Sequence, residues 1–288
     1  MNGVLVIDKP AGITSHDVVS KVRRALGTRR VGHTGTLDPF ATGVMVVLVG
    51  NVTRLAQFLD RDEKEYVAEV RFGYETDTGD RTGVPKSDDQ SSKGVSSEMI
   101  KEILPGFIGE IEQTPPMYSA KKIEGRKLYE LAREGKEIER KSVSLTIREL
   151  ELLGVREANA TIRVVSSAGT YIRTLAEDIA RAMGTHAHLS ELRRTRSGKF
   201  DLSRSVRLDD LDKDTELIDA NDALADLREF VVPEERNEKT RNGLSTRIDE
   251  NDFSDGETVR MTTADGELLA IGCYNGPDGS VQPKVVLS

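Results

Sequence analysis

Residues 32–43, GHTGTLDPFATG, lead without interruption into an apolar run, VMVVLV, at 44–49. The first part collects three glycines, three threonines, a histidine and a carboxylate, and it follows neither a helical nor a strand period. A short apolar run bounded by turn residues is typical of a buried strand. Pro39 fixes its own φ and biases Asp38 toward an extended backbone. We therefore predict a tight loop joined to a core strand, with Asp38 at its turn. The alternative is a Gly-rich turn in which Asp38 only caps its own backbone.

The composition is that of a globular chain with room for more than one domain. Its 288 residues are 37% hydrophobic and 31% charged, and this length supports a large core. No apolar run approaches the roughly 18 residues of a membrane helix, and the N-terminal MNGVLVIDKP lacks the pattern of a signal peptide. Cys273 is the only cysteine, which excludes an intramolecular disulfide and a cysteine-based zinc site. We expect a cytoplasmic protein with no membrane association.

The net charge of −8 argues by itself against a nucleic-acid-binding protein, because phosphate contacts require lysine and arginine. The distribution of charge argues the other way, since a local surface of one sign is what such binding requires. Solvated helix faces that are basic by chance are the alternative. The basic clusters lie at 21–30, 121–141 and 193–199, and the acidic ones at 75–89, 209–226 and 249–257.

Residue patterns predict a fold of the α+β class. A strand at 3–8 is followed by a helix that begins after Thr14, where Asp17 completes a capping box, and ends at Gly27. Residues 64–74 alternate between apolar and charged side chains, which indicates a half-buried strand of an antiparallel or mixed sheet. We expect further helices at 52–59, 97–104, 127–133 and 170–183, and further strands at 142–153 and 160–167.

Other segments are marked by turn residues. Residues 75–97 are rich in Gly, Ser, Asp and Thr, and we expect a mobile surface loop there. A domain boundary is expected at 231–233, where Pro233 follows two valines. Beyond it, the turn signals Asp265-Gly266 and Asp278-Gly279 predict the hairpins of a small β module.

Four side chains are candidates for chemistry. Asp38, held by its loop, can act as a nucleophile or a base. Arg173 opens a predicted helix and can orient that carboxylate or face an anion, although an arginine on a helix surface is the common case. Tyr66 can stack on a base and exchange a proton through its hydroxyl, or it can be a packing residue. His33 can donate to a phosphate or base, or it can hold the loop itself. The histidines show no metal-binding pattern, and we expect no metal.

Three separate motifs give the chain a family resemblance. They are KPAGITS at 9–15, HTGTLDPFATG at 33–43, and GTYIRTL at 169–175 followed by HLSELRRT at 188–195. In order and spacing, residues 1 to about 200 resemble the bacterial TruB-type tRNA pseudouridine synthases, which modify the uridine at position 55 in the T-loop of tRNA. The C-terminal module, ending VQPK at 281–284, resembles the PUA-like RNA-binding ending of such enzymes.

The resemblance implies an architecture and an activity. The fold would be a mixed β-sheet pseudouridine synthase core with flanking helices over 1–230, and it would carry a thumb-like insertion at about 113–145. A β-rich PUA-like domain would occupy 231–288. The enzyme would detach uracil at N1, rotate it and rejoin it through C5 to the same ribose, which needs no redox change and therefore no cofactor. The partner would be the T-arm stem-loop of tRNA, bound by a monomer without an obligatory protein partner.

The resemblance also assigns roles to residues. Asp38 would be catalytic, Tyr66 would stack on the target uracil, and Arg173 would pair with the aspartate. Asp38 would either attack the sugar or base covalently or remove a ribose proton, and both routes stay open. The residues expected to bind RNA or line its cleft are His33, Lys9, Tyr171, Leu192, Arg193, Arg194, Lys121 and Lys122.

Other functions are compatible with the same residues. A guide-RNA-dependent synthase acting on rRNA would share the chemistry and change the substrate. An RNA chaperone with secondary catalysis would use the same basic clusters. Without the resemblance, a hydrolase with an aspartate nucleophile acting on a sugar would also stand. The lack of an obvious second carboxylate near the loop counts against that reading.

Overall fold

A mixed β-sheet organises the structure, a computed structural model that describes residues 1–60, 62–86, 88, 95–123, 125–248 and 252–287. The strands in chain order are β1 (Gly3–Lys9), β2 (Val31–His33), β3 (Thr42–Val49), β4 (Lys64–Phe72), β5 (Gly109–Gln113), β6 (Lys122–Ile123), β7 (Arg126–Lys127), β8 (Val143–Arg156), β9 (Asn159–Ser166), β10 (Ala187–Ser197), β11 (Phe200–Asp201), β12 (Val206–Arg207), β13 (Arg228–Val231), β14 (Thr246–Arg247), β15 (Thr258–Thr262), β16 (Leu268–Asn275) and β17 (Ser280–Val286). The helices are α1 (Ser15–Ala25), α2 (Ala56–Leu59), α3 (Ser97–Ile103), α4 (Leu128–Arg133), α5 (Ile172–Ala182), α6 (Ala220–Ala223) and α7 (Asn237–Arg241).

The large sheet is mixed, which confirms the predicted fold class. Its order is β12-β1-β3-β10-β4-β9-β8-β5, with β2 paired to β3 and β11 paired to β10. β1 runs parallel to β12 and β3 runs parallel to β10, whereas the other neighbours are antiparallel. Because the 32–43 loop leads into β3, it is anchored near the middle of this sheet.

Strand β4 buries alternate side chains from Lys64 to Phe72, which confirms the predicted alternation. Its buried apolar residues share a hydrophobic cluster with α5, so the helix lies across this face of the sheet. Tyr66 lies opposite Arg194 of β10 and Val164 of β9. Lys64 is an exception in the buried row. It is only 4% exposed, and burial lowers its pKa to about 8.

A second sheet packs against the first. Its order is β13-β15-β16-β17-β14, and the hairpins predicted from Asp265-Gly266 and Asp278-Gly279 are present. Apolar residues of β16 and β17 share a hydrophobic cluster with those of β1 and β3. The boundary expected at 231–233 falls just after β13, a strand that already pairs with β15. The second sheet therefore begins at Arg228.

The predicted helix signals are present. Asp17 N donates to Thr14 Oγ1 at 3.1 Å and Thr14 N donates to Asp17 Oδ2 at 2.8 Å, so the capping box closes α1. Gly27 follows the helix with a φ of 63°. The helix expected at 52–59 is divided into a 3-10 turn at Gly50–Leu55 and α2. In the part of the chain that the structure describes, no helix is long and apolar enough to cross a membrane.

The expectation of a surface loop at 75–97 is wrong for its first part. Thr76 and Asp80 are buried, Thr76 Oγ1 donates to Asp80 O at 2.7 Å, and Asp80 forms a bridge with Leu189. Short polar side chains can satisfy the backbone of a turn in this way, so a polar composition does not by itself imply exposure. Residues 87 and 89–94 of this segment lie outside the described residues.

The chain leaves the large sheet between β5 and β8 and returns to it. Gln113 pairs with Val143 across these strands, so the residues between them lie outside this sheet. We name the described part of this segment, 114–123 and 125–142, the excursion. It includes the two-stranded ribbon of β6 and β7 and the helix α4. These bounds are close to the 113–145 expected for a thumb-like insertion.

We expect Gly43→Ala to destabilise the fold strongly. Gly43 has a φ of 101°, and a Cβ there would overlap the backbone carbonyl of Arg194. Strain and overlap together predict a loss of more than about 3 kcal/mol in the free energy of unfolding. Gly12→Ala is the matched control, because Gly12 has a φ of 85° and nothing within 4 Å of an added Cβ, which limits its loss to about 1 kcal/mol. Equal losses in urea denaturation would contradict this account.

We expect Lys64→Met to raise the free energy of unfolding at pH 7 by about 1–3 kcal/mol, because a buried cation is replaced by an apolar chain. The pKa of Lys64 falls to about 8 in the folded protein from an ordinary 10.5. Its destabilising effect is therefore fully present below pH 8 and disappears as pH rises to about 10.5. The gain of the variant over the wild type should shrink across the same window. A gain that stays constant from pH 7 to 10 would refute the shift.

Candidate active site

An open cavity of about 550 Å³ lies where the 32–43 loop, β4, the start of α5 and the excursion meet. These segments are far apart in sequence and meet because α5 crosses the sheet face that carries Tyr66. Most of the residues predicted for the site line this cavity. They are Asp38, Tyr66, Arg173, His33, Tyr171, Leu192, Arg194 and Lys121.

Asp38 and Arg173 form a bidentate ion pair. Arg173 Nε lies 2.9 Å from Asp38 Oδ2 and Arg173 Nη2 lies 3.2 Å from Asp38 Oδ1. The arginine side chain is 5% exposed and the aspartate side chain 32% exposed. The guanidinium therefore fixes the carboxylate in the plane of its fork, while the carboxylate remains accessible from the cavity.

The guanidinium of Arg173 is held by two further contacts. Its Nη1 donates to Thr78 O at 2.6 Å, and its Nη2 donates to Tyr118 O at 2.8 Å. The first carbonyl belongs to the polar segment after β4 and the second to the excursion. Three separate parts of the chain thus determine the orientation of one arginine, and a planar, five-donor group is suited to this.

Hydrogen bonds from two buried side chains, Ser15 and Lys9, hold the backbone around Asp38. Ser15 Oγ donates to Leu37 O at 3.0 Å and accepts from Leu37 N at 2.9 Å. Lys9 Nζ donates to Ala41 O at 2.6 Å and to Pro39 O at 3.2 Å. These bonds secure both sides of the loop turn, which is the rigidity that positioning of a reactive carboxylate requires.

The structure places Lys9, which we expected to line the cleft, beneath the 32–43 loop. Lys9 is fully buried and is not among the residues that line the cavity, because its side chain runs beneath the loop to reach the carbonyls of Pro39 and Ala41. Burial lowers its pKa to about 8. Its hydrogen bonds hold the loop that carries Asp38.

The surroundings of Asp38 act on its protonation in opposite directions. Burial raises the pKa of Asp38 above its ordinary value, and the adjacent guanidinium of Arg173 opposes that rise. The pair therefore keeps a desolvated carboxylate oriented, and a carboxylate removed from water is a stronger base or nucleophile than a solvated one.

Neighbouring residues of β10 face opposite sides of the sheet, which separates residues that the sequence grouped. Leu192 and Arg194 line the cavity, whereas Arg193 points away and forms a bidentate pair with Asp8, at 3.0 and 2.8 Å. Arg193 is therefore outside the cavity. Lys122, in the exposed ribbon of the excursion, also does not line it.

Two cavity residues serve the 32–43 loop as well as the cavity. Arg194 Nε donates to Val44 O at 2.6 Å and its Nη2 to Gly35 O at 3.2 Å. His33 Nδ1 accepts from Gly35 N at 3.2 Å, and burial lowers the pKa of His33. A neutral imidazole in this position holds the loop and still presents its ring to the cavity.

The sequence did not single out several residues that the structure brings to the site. Lys64 lines the cavity beside Tyr66, and its place on the buried face of an alternating strand was a readable signal. Ser119 of the excursion also lines it, and its buried hydroxyl has no hydrogen-bond partner among the described residues. The contacts of the Thr78 and Tyr118 carbonyls could not be predicted from the sequence, because every residue type has a backbone carbonyl. Among the described residues, no three His, Cys, Asp or Glu side chains are grouped as a metal site would require.

Comparison with known proteins gives matches along most of the chain. Residues 23–172 match a family model described as TruB family pseudouridylate synthase (N terminal domain), and residues 173–237 match one described as tRNA pseudouridylate synthase B C-terminal domain. Relatives called tRNA pseudouridine synthase B include one from Geobacillus thermodenitrificans, 43% identical over 86% of this chain and 86% of its own length. One from Bacillus cytotoxicus is 41% identical over 100% of this chain and 97% of its own length.

Solved structures agree with the fold. A chain from "Structure of H/ACA RNP bound to a substrate RNA containing 2'-deoxyuridine" has a TM-score of 0.76 at 25% identity and covers 99% of this chain and 85% of its own. A chain from "Crystal Structure of a Cbf5-Nop10-Gar1 Complex" has a TM-score of 0.75 at 26% identity, with the same coverage. Together with the family models and the identities to the relatives, these matches show that the chain belongs to the TruB family of pseudouridylate synthases.

Proposed function

We propose that this chain isomerises uridine to pseudouridine at position 55 in the T-loop of tRNA, with Asp38 as the catalytic residue. The observation that carries the proposal is the accessible carboxylate of Asp38, fixed by the buried Arg173 at 2.9 and 3.2 Å in a cavity that Tyr66 also lines. Relatives that are 41–46% identical bear the name tRNA pseudouridine synthase B, which supports tRNA as the substrate.

The reaction conserves all atoms of the substrate. The N1–C1′ bond breaks, the base rotates, and a C5–C1′ bond forms, while C5 loses a proton and N1 gains one. Asp38 acts either by bonding covalently to the sugar or base or by removing a ribose proton. Both routes need an ionised carboxylate aimed at the nucleotide, which the fork of Arg173 provides. Neither route changes oxidation state, so no redox cofactor enters the proposal.

Tyr66 has two roles in this proposal. Its ring, on the cavity wall, gives the uracil a surface on which to stack while the base is detached from the sugar. Its hydroxyl is the acceptor or relay for the C5 proton, because proton transfer needs a group within reach of the ring. The target base must leave the RNA stack to enter the cavity, and a loop nucleotide does this at a lower cost in free energy than a paired one.

The excursion carries groups suited to the stem of the RNA. Lys127 and Arg133 lie over the ring of Tyr129, at 5.3 and 5.5 Å from its centroid. A cationic surface with an aromatic centre suits phosphates and exposed bases. Because Tyr118 of the same excursion contacts Arg173, RNA bound here would lie close to the reacting nucleotide.

The proposal includes a cytoplasmic monomer that needs no guide RNA and no protein partner. The second candidate, a guide-dependent enzyme, is favoured by the fold match to the H/ACA and Cbf5 structures. Their 25–26% identity is well below the identity to the relatives called tRNA pseudouridine synthase B. Activity of the purified chain on an unmodified tRNA, with nothing added, distinguishes the two.

We expect Asp38→Asn to bind a T-arm stem-loop with wild-type affinity and to form no pseudouridine, because the substitution removes the charge and keeps the shape. The assay is tritium release from a stem-loop that carries [5-³H]uridine, with the purified chain alone. Asp214→Asn, at an exposed aspartate, is the control and should behave as the wild type. Near wild-type release by Asp38→Asn would remove Asp38 from the mechanism.

We expect Arg173→Lys to lower kcat at least about 100-fold with little change in RNA affinity. A lysine keeps the positive charge but cannot make the bidentate pair with Asp38 and the bonds to Thr78 and Tyr118 together, and misplacement of a reacting group by about 1 Å is worth a factor of this size. Single-turnover rates and the Kd measured on the same preparation separate the two effects. A loss confined to Kd would contradict an orienting role.

A further inference from the structure

Two buried cations share one wall of the cavity, and no close ion pair with a carboxylate is formed by either of them among the described residues. Lys64 is 4% exposed and Arg194 is 2% exposed, and both line the cavity. Lys64 Nζ donates to Asp62 O at 2.7 Å and to Asp60 O at 3.3 Å. The bonds of Arg194 likewise end on carbonyls. Within the described residues, neither side chain forms an ion pair with a carboxylate.

Three of the other cations near the site are compensated or lie elsewhere, and Lys121, which also lines the cavity, is only half-buried. Arg173 is paired with Asp38 and Arg193 with Asp8, and Lys9 lies beneath the loop. Lys64 and Arg194 instead repel each other, which adds to the effect of burial in lowering the pKa of Lys64. Asp62 and Asp60 attract Lys64, but burial and Arg194 outweigh them and the pKa stays lowered. A buried cation that is hydrogen-bonded only to carbonyls is costly in free energy, and an anion that entered the cavity would offset both the burial and the repulsion.

The position of Lys64 suggests which anion this is. Lys64 and Tyr66 are two residues apart on the same buried face of β4, so their side chains leave the strand about 7 Å apart. A base stacked on Tyr66 carries its own sugar and phosphates within that reach. Uracil is neutral, so the anionic groups that a bound nucleotide brings to this wall are its phosphates.

We propose that Lys64 binds a backbone phosphate directly flanking the target uridine, with Arg194 as the second cation of the phosphate site. This rests on the proposed function, and it adds a site for the sugar–phosphate to the sites for the base. Such an anchor has a purpose in this reaction. When the N1–C1′ bond is broken, contacts to the base no longer hold the ribose, and a phosphate held by Lys64 keeps C1′ in place for C5.

The groups that face Lys64 set the pH dependence of this site. Arg194 approaches from β10, and Asp60 and Asp62 approach from the segment before β4, whereas the residue paired with Lys64 on β9 is the uncharged Ser166. Because the free protein has a Lys64 pKa of about 8, phosphate binding there requires uptake of a proton above that pH. Affinity for RNA should fall as pH rises from 8 to 9.5.

The test pairs a substitution in the protein with a neutral phosphate in the RNA. T-arm stem-loops carry a methylphosphonate on the 5′ or the 3′ side of the target uridine, and Kd is measured for the wild type and for Lys64→Gln at pH 7. We expect Lys64→Gln to weaken binding about tenfold and to reduce the salt slope of log K by about 0.7–0.9. One methylphosphonate should weaken wild-type binding by a similar factor and leave Lys64→Gln unaffected. If the loss of affinity caused by Lys64→Gln and the loss caused by the methylphosphonate multiply at both flanking positions, the proposal is overturned.

Two further variants keep the test interpretable. Lys64→Arg keeps the charge at a higher pKa, and it should hold its affinity up to pH 9.5 where the wild type loses it; an unchanged pH profile would count against the proposal. Lys213→Gln, at an exposed lysine in an acidic segment, should match the wild type in affinity. Thermal melts followed by circular dichroism report whether each variant is folded.

The same measurements separate an error in the phosphate site from an error in the proposed function. If the wild type releases no tritium from the unmodified stem-loop, the function is wrong, and the binding measurements still decide whether Lys64 contacts a phosphate. If tritium is released and the losses multiply, only the phosphate site is wrong.

Discussion

The bidentate pair between Asp38 and Arg173 is the constraint on which the site depends. The two residues are 135 positions apart, one in a loop at the start of a central strand and the other in the first turn of a helix across the sheet. Their contact requires the loop, the sheet and α5 to hold fixed positions relative to one another. The guanidinium also binds carbonyls of Thr78 and Tyr118, so the polar segment after β4 and the excursion are tied to the same point.

Charge is concentrated around the cavity at a cost in stability. Lys9, Lys64, Arg173 and Arg194 are each at most 5% exposed, although their partners differ. Arg173 has a carboxylate, Lys9 has carbonyls of the 32–43 loop, and the hydrogen bonds of Lys64 and Arg194 end on carbonyls. Buried cations with incomplete compensation favour the binding of an anion, because the ligand supplies what the folded chain lacks.

The total charge of −8 is compatible with an RNA partner because part of the acidic surface lies away from the cavity. Part of the outer sheet face carries a network in which Arg163 contacts Glu65, Glu149 and Glu151. The opposite face holds the cavity, where two arginines and two lysines outnumber the aspartates Asp38 and Asp60. A phosphate backbone would be attracted more to the cavity side than to the side that carries this network, which would favour one orientation of a bound RNA.

The sequence alone determined the α+β class, the alternating strand at β4, the capped helix α1, the C-terminal hairpins and the identity of Asp38, Tyr66 and Arg173 as the candidate centre. These predictions depend on local periodicity, turn residues and the three motifs, all of which can be recognised from the order of residues along the chain. Only the tertiary structure decided that Lys9 lies beneath the loop, that Arg193 and Arg194 face opposite sides of β10, and that the polar segment after β4 packs against the site. The reason is physical. Burial and pairing of a charged side chain depend on which face of the sheet it occupies and on which distant segments pack there, and the local sequence does not specify those segments.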